Sequence, residues 1–171
     1  IRLFLQIFFI IIFVYLETIK ISSSRIIILD YFLNYTIINY LFVTLCLVIL
    51  INGTNFIDGL DTLSIGYYLL ITYFIYKLQL YELLQLSFLE INLLLIALFS
   101  AFILNISKVF FIGDSGSYLL GFIFGFIMLK IYANNPDISP FFIALLLWYP
   151  CFENFFSIIR KTKLKRSPIL P

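Results

Sequence analysis

The sequence contains no histidine, and only two of its 171 residues are cysteine. Structural zinc sites draw mainly on those two residue types, so this chain has no ligand set for one. Charge is also scarce: 12% of residues are Asp, Glu, Lys or Arg, against 63% hydrophobic. An ordinary globular domain has about 25% charged and about 45–50% apolar residues. At about half the usual charge, the chain cannot clothe a water-soluble surface. Length alone would suggest one soluble domain, but composition excludes it. A mean hydropathy of +1.11 also excludes disorder and collagen-like repeats. The net charge of +2 sits mostly in one terminal cluster and excludes a basic nucleic-acid binder. Cys46 and Cys151 lie in apolar runs and read as small buried hydrophobes, not as a disulfide framework. The first residue is Ile1, and no stretch has the layout of a cleavable signal peptide. The chain is therefore expected to begin within a longer reading frame.

What remains is an all-α class, a polytopic transmembrane helix bundle. A membrane helix needs roughly 20 mostly apolar residues. About six spans are expected: Leu3–Leu16, Ile38–Ile51, Leu63–Leu80, Phe88–Leu104, Ser117–Ile131 and Pro140–Ile159. The first two look short, so flanking residues would complete them. Ile26–Tyr35, interrupted by Asp30 and Asn34, reads as an interfacial segment. A β-barrel would alternate in polarity over segments of about ten residues, whereas these apolar runs are continuous and long. Residues 1–171 thus form a single transmembrane domain, expected to be partial, with 160–171 as a basic tail.

Arg160, Lys161, Lys163, Lys165 and Arg166 follow the sixth span directly. By the positive-inside rule that tail is cytoplasmic. Counting back puts the N-terminal end and the second-to-third and fourth-to-fifth loops on the same side. Seven basic residues then lie inside, against four outside: Lys20, Arg25, Lys77 and Lys130.

Those inner loops hold the polar motifs. The first reads Asn52-Gly53-Thr54-Asn55-Phe56-Ile57-Asp58-Gly59-Leu60-Asp61. In a helix, about 100° per residue would keep Asn55, Asp58 and Asp61 on one face. Such a cluster near a membrane is costly and needs a metal, a cationic substrate group or other helices as partner. Helix capping and a turn at Gly59 account for any single Asp, but less well for the cluster. The second motif reads Gly113-Asp114-Ser115-Gly116-Ser117. A cap again explains Asp114 alone. Yet glycines let backbone approach a ligand, and a helix start favours phosphate. A carboxylate facing phosphate there calls for a divalent cation between them. Mg²⁺ fits, since it takes oxygen ligands and bridges carboxylates to phosphates. Gly113, Ser117, Gly121 and Gly125, four apart, form a small-residue stripe suited to close helix packing. Pro150 is expected to kink the sixth span, with Glu153 mainly structural beside it. Asn34, Asn52 and Asn105 each begin an N-x-S/T match, read as chance.

The first motif resembles the N-x-x-N-F-x-D-G-L-D signature of the polyprenyl-phosphate N-acetylhexosamine-1-phosphate transferases, within glycosyl transferase family 4. Phe111–Ser117 is similar to that family's second signature. Arg2–Gln6 resembles the start of the helix after its paired aspartates. Arg160–Pro171, with Arg166-Ser167-Pro168, resembles the stretch before its histidine-rich loop. The resemblance runs nearly end to end. It implies a bacterial plasma-membrane enzyme of about ten spans with a cytoplasmic active site. Such an enzyme moves a sugar-1-phosphate from a UDP-sugar to polyprenyl phosphate, commonly undecaprenyl phosphate, and releases UMP. This step initiates cell-wall or surface polysaccharide synthesis. Carried over by residue, Asp114 would ligate Mg²⁺, or Mn²⁺ in its stead. Asp58, Asp61 and Asp114 would be the catalytic carboxylates, and Asn52, Asn55, Gly113 and Ser115 would bind substrate.

The sequence departs from the family pattern in places. The paired aspartates and the histidine motif are absent from these 171 residues, so this piece alone is expected to be inactive. Thr62 stands where many relatives have Gly, and Glu153 where relatives often have Asp. The Ser-Pro tail looks more like the polysaccharide-initiating branch than the muramoyl-pentapeptide branch. Two rivals remain. A cation-coupled transporter would use intramembrane carboxylates and Gly-interrupted spans, but would place carboxylates near mid-membrane. A non-catalytic scaffold leaves the Asn and Asp cluster unexplained.

Overall fold

The computed structural model describes residues 2–59, 62–135 and 137–163. The described residues are helical, without strands. Among the described residues eight α-helices follow one another: α1 (Arg2–Leu16), α2 (Ile27–Leu33), α3 (Thr36–Ile57), α4 (Leu63–Lys77), α5 (Phe88–Ile106), α6 (Gly113–Asn134), α7 (Pro140–Leu146) and α8 (Trp148–Lys163). A 3₁₀ turn, Leu80–Leu84, joins α4 to α5. Ser87 and Glu90 start α5 with a capping box, each satisfying the other's orphan N–H.

Helix α3 is the hub, packing on α1, α2, α4, α6 and α8. Its closest partner is α6, which runs antiparallel to it. The small-residue stripe makes that approach possible. A Cβ on Gly121 would lie 2.9 Å from the Ile51 Cα and 2.7 Å from Thr54 Oγ1. One turn on, a Cβ on Gly125 would press on the tips of Leu47 and Leu50. On the other flank, Gly53 lets α8 cross with the Pro150 backbone directly against α3. One core joins Tyr68, Ile71 and Ile75 of α4 to Phe124 and Met128 of α6, with Ile91 and Leu98 of α5. A second joins Ile10 and Val14 of α1 to Val43, Leu47 and Ile51 of α3. Elsewhere large apolar side chains face outward, such as Phe4, Leu93 and Ile96, as suits helices solvated by lipid.

The span count is lower than expected. Among the described residues α3, α5 and α6 are long and apolar enough to cross a membrane, and α7 with α8 makes a fourth if the bent pair is one span. Helices α1 and α4 have 15 residues each. At about 1.5 Å per residue they reach about 22 Å, short of a roughly 30 Å hydrocarbon core. Their bounds lie close to the expected Leu3–Leu16 and Leu63–Leu80, so the excess came from counting apolar runs too short to cross as spans.

The break between α7 and α8 turns the chain by 66°. It falls at Leu147, three residues before Pro150, not at the proline itself. Pro150 has no N–H to offer the Leu146 carbonyl, and the Tyr67 hydroxyl donates to that carbonyl instead. The segment read from the sequence as interfacial, Ile26–Tyr35, contains a short helix, α2, with Asp30 inside it. Asp30 turns back to accept from the Ser23 hydroxyl at 2.8 Å and from the hydroxyl and N–H of Ser24. The Ser24 hydroxyl, foremost, holds the Asp30 carboxyl below the usual carboxylate range. Cys46 and Cys151 are free and half-buried, and both line an apolar cavity of about 470 Å³ between α3, α6, α7 and α8.

Candidate active site at one end of the bundle

The C-terminal ends of α3 and α5 and the N-terminal ends of α1, α4 and α6 gather at one end of the bundle. The Thr62 end of the α3–α4 connection and the 107–112 loop therefore lie side by side. Asn105, in the last turn of α5, ties them together. It is 5% exposed. Its Oδ1 accepts from the Thr62 N–H at 2.6 Å, and its Nδ2 donates to the Phe110 carbonyl at 2.7 Å. Both ends of a buried amide are thus satisfied. The sequence showed Asn105 only as a chance N-x-S match. Thr62 is left-handed, with φ +70°, a conformation uncommon for a β-branched residue.

Helix α3 ends at Ile57, with Asp58 as its C-cap. Its last turn presents Asn55, and Asp58 follows at the rim, where Ser64 at the start of α4 donates to its carboxylate. The continuous helical face expected through Asp61 stops here, and Asp61 itself lies outside the described residues. Across from Asn55, α6 begins at Gly113, with φ +64° and open space where a Cβ would stand. Its first turn carries Asp114.

Asn55 and Asp114 meet. The Asn55 Nδ2 donates to Asp114 Oδ1 at 3.1 Å and to Ser117 Oγ at 3.0 Å, and Ser117 donates onward to the Asp114 carbonyl at 3.0 Å. Tyr118 donates to Asn55 Oδ1 at 3.1 Å. Arg2 completes the ring from α1. One nitrogen donates to the Tyr118 hydroxyl, and the other lies 3.6 Å from Asp114 Oδ2. The guanidinium carbon stands 4.7 Å from the Tyr118 ring centroid, a cation–π arrangement. Side chains from α1, α3 and α6 so form a closed circuit: Arg2 to Tyr118 to Asn55 to Asp114 and back to Arg2. The Arg2 and Asp114 side chains remain 57% and 72% exposed. The circuit is open to a ligand.

The other expected site residues fall in different places. Ser115 is exposed on α6 and lines a cleft of about 720 Å³ between α1 and α6, with Arg2, Gln6 and Tyr118 at its polar end. Asn52 lies one turn deeper and does not join the circuit. Its amide donates to Gln6 Oε1 at 3.3 Å and to the Val48 carbonyl at 2.8 Å, so it links α3 to α1. Glu153 is half-buried on α8 and makes no ion pair among the described residues. Lys161 stands 5.5 Å from the Phe56 ring, so the basic end of α8 lies at the same end of the bundle as Asn55. Lys165 and Arg166 lie outside the described residues.

Among the described residues no group of three or more His, Cys, Asp or Glu side chains converges on a metal position. Asp114 nonetheless suits a hard cation of the Mg²⁺ type. It offers an exposed carboxylate oxygen, and such ions are held by one or two carboxylates plus substrate phosphates and water.

Long apolar helices around a polar circuit at one end define a polytopic membrane protein with a candidate catalytic centre. A model of glycosyl transferase family 4 matches residues 1–132, and the chain belongs to that family. It is a membrane transferase of the glycosyl transferase class. The match takes in both motifs and the whole circuit and ends in α6, before α7. No curated protein and no solved structure gives a match.

Proposed function

We propose that this protein transfers a sugar-1-phosphate, N-acetylhexosamine-1-phosphate by its motifs, from a UDP-sugar to polyprenyl phosphate, with release of UMP. The observation that carries the reading is the Arg2–Tyr118–Asn55–Asp114 circuit. It unites the two family motifs at one end of the bundle, within the region matched by the family.

The chemistry follows from charge. An oxygen of the lipid phosphate attacks the sugar-bearing phosphorus, and the bond from that phosphorus to the bridging oxygen breaks. UMP leaves with the electron pair, and a lipid-linked diphosphosugar remains. Both reactants are anionic, so the protein's task is positioning and electrostatics. Asp114 would hold Mg²⁺, with Asp58 and Asp61 as the other carboxylates of the site. When bound, the ion offsets repulsion between the phosphates and stabilises charge on the leaving group. Asn55 fixes the orientation of Asp114 through Oδ1. Ser117 and Tyr118 fix Asn55 in turn, so the carboxylate is aimed before substrate arrives. Arg2 supplies a planar cation matched to phosphate. The basic end of α8 favours approach of an anionic nucleotide sugar, and by the positive-inside rule it supports a cytoplasmic site.

The transporter reading expects carboxylates dispersed at mid-membrane; Asp58 and Asp114 instead sit at helix ends. An omission experiment on membranes carrying the complete gene product separates the two. UMP should form only when UDP-sugar, polyprenyl phosphate and Mg²⁺ are all present, and chelation should stop it. Ion or sugar uptake into proteoliposomes without UMP would support transport and overturn the transferase.

A further inference from the structure

We propose that Arg2 is the resting counter-ion of Asp114, displaced by the divalent cation and thereby released toward a substrate phosphate. The inference rests on the metal reading of Asp114 given above and assigns a positioning role to Arg2.

The two oxygens of Asp114 are not equivalent. Oδ1 is committed to the Asn55 amide at 3.1 Å. Oδ2 faces Arg2 at 3.6 Å and accepts no hydrogen bond among the described residues, so a cation approaching Asp114 from solvent meets Arg2 at that oxygen. An exposed ion pair of this kind holds weakly, so a doubly charged ion can replace it. Arg2 does not depend on Asp114 for its position, because it stacks on the Tyr118 ring and donates to the Tyr118 hydroxyl. It can leave the carboxylate and keep that shelf. From there its guanidinium faces the cleft lined by Ser115 and Gln6, with donors free for phosphate oxygens.

The arrangement has an electrostatic consequence that a structural role lacks. Arg2 should weaken cation binding while strengthening phosphate binding, so its removal should move the two affinities in opposite directions. The test is Mn²⁺ titration of the purified complete protein, read by electron paramagnetic resonance, alongside KM for UDP-sugar and for polyprenyl phosphate. Arg2→Gln should bind Mn²⁺ roughly three- to tenfold more tightly, the effect of removing one nearby positive charge in a partly exposed site. KM for at least one phosphate substrate should rise. Arg2→Lys, which keeps the charge without the planar fork, should bind Mn²⁺ with affinity between wild type and Arg2→Gln. Unchanged or weaker Mn²⁺ binding in Arg2→Gln overturns the proposal, as does a Lys variant indistinguishable from the Gln variant. Asp114→Asn separates the two failures. If it abolishes Mn²⁺ binding while Arg2→Gln has no effect, only the role of Arg2 fails. If it binds Mn²⁺ like wild type, the metal reading fails first.

Discussion

Single residues at the rim of the bundle set how well the two motif loops are held. Thr62 closes the first loop with φ +70°, and the Asn105 amide takes its N–H. A non-glycine residue in the left-handed region costs about 1–2 kcal/mol. Thr62→Gly keeps the backbone donor and removes that cost, offset in part by the greater chain entropy of glycine in the unfolded state. The variant should be more stable by about 1 kcal/mol, seen as a higher midpoint of thermal unfolding in detergent. A lower midpoint would mean that the threonine side chain contributes more than its backbone strain costs. Asn105 belongs to the same scale. It holds loops from two motifs 43 positions apart in one direction and five in the other. No local pattern marks an asparagine for that task, and so it looked like an incidental glycosylation match. Asn52 is placed differently from Asn55. It stands inside the signature, yet its helical position turns it to α1 and away from Asn55.

At the scale of helices, contact between backbones decides the architecture. The α3–α8 crossing depends on Gly53, because a Cβ there would run into the Pro150 carbonyl. Backbone cannot rotate out of the way. Gly53→Ala should therefore cost at least about 1–3 kcal/mol as α8 shifts. Gly125→Ala meets only the tips of Leu47 and Leu50, at 2.7 and 2.8 Å. These can change rotamer, and the cost should stay within about 1 kcal/mol. Paired thermal-unfolding curves check the order of the two variants, and the reverse order would refute the packing scheme. Ser117, Gly121 and Gly125 were legible in the sequence as a packing face, because spacing by four is a helical property, whereas Gly113 of the same stripe faces open space. Gly53 as the α8 contact was not, since its partner lies 97 positions away. The helical class was equally plain from long apolar runs. The span count was not. Hydropathy records how apolar a run is, whereas α1 and α4 are limited by where their helices end.

At the scale of the molecule, five helix ends converge to make one site out of segments far apart in the chain. Asn55, Asp58 and Asp114 were legible from motif spacing and from sidedness counted off the basic tail, and the structure brings Asn55 and Asp114 into contact. Arg2 and Tyr118 were not legible as site residues. Their contact spans 116 positions and exists only because α1 and α6 flank α3. Membership of glycosyl transferase family 4 and this circuit together give the chemistry its most direct test: UMP release by the complete gene product with Asp114→Asn, supplied with UDP-sugar, polyprenyl phosphate and Mg²⁺. The asparagine keeps shape and removes the charge that would hold the ion. Transfer through Asp114 predicts that UMP formation falls by at least about a hundredfold, the effect of losing about 2.7 kcal/mol of transition-state stabilisation. Turnover near wild type would contradict it and take the metal site away from α6.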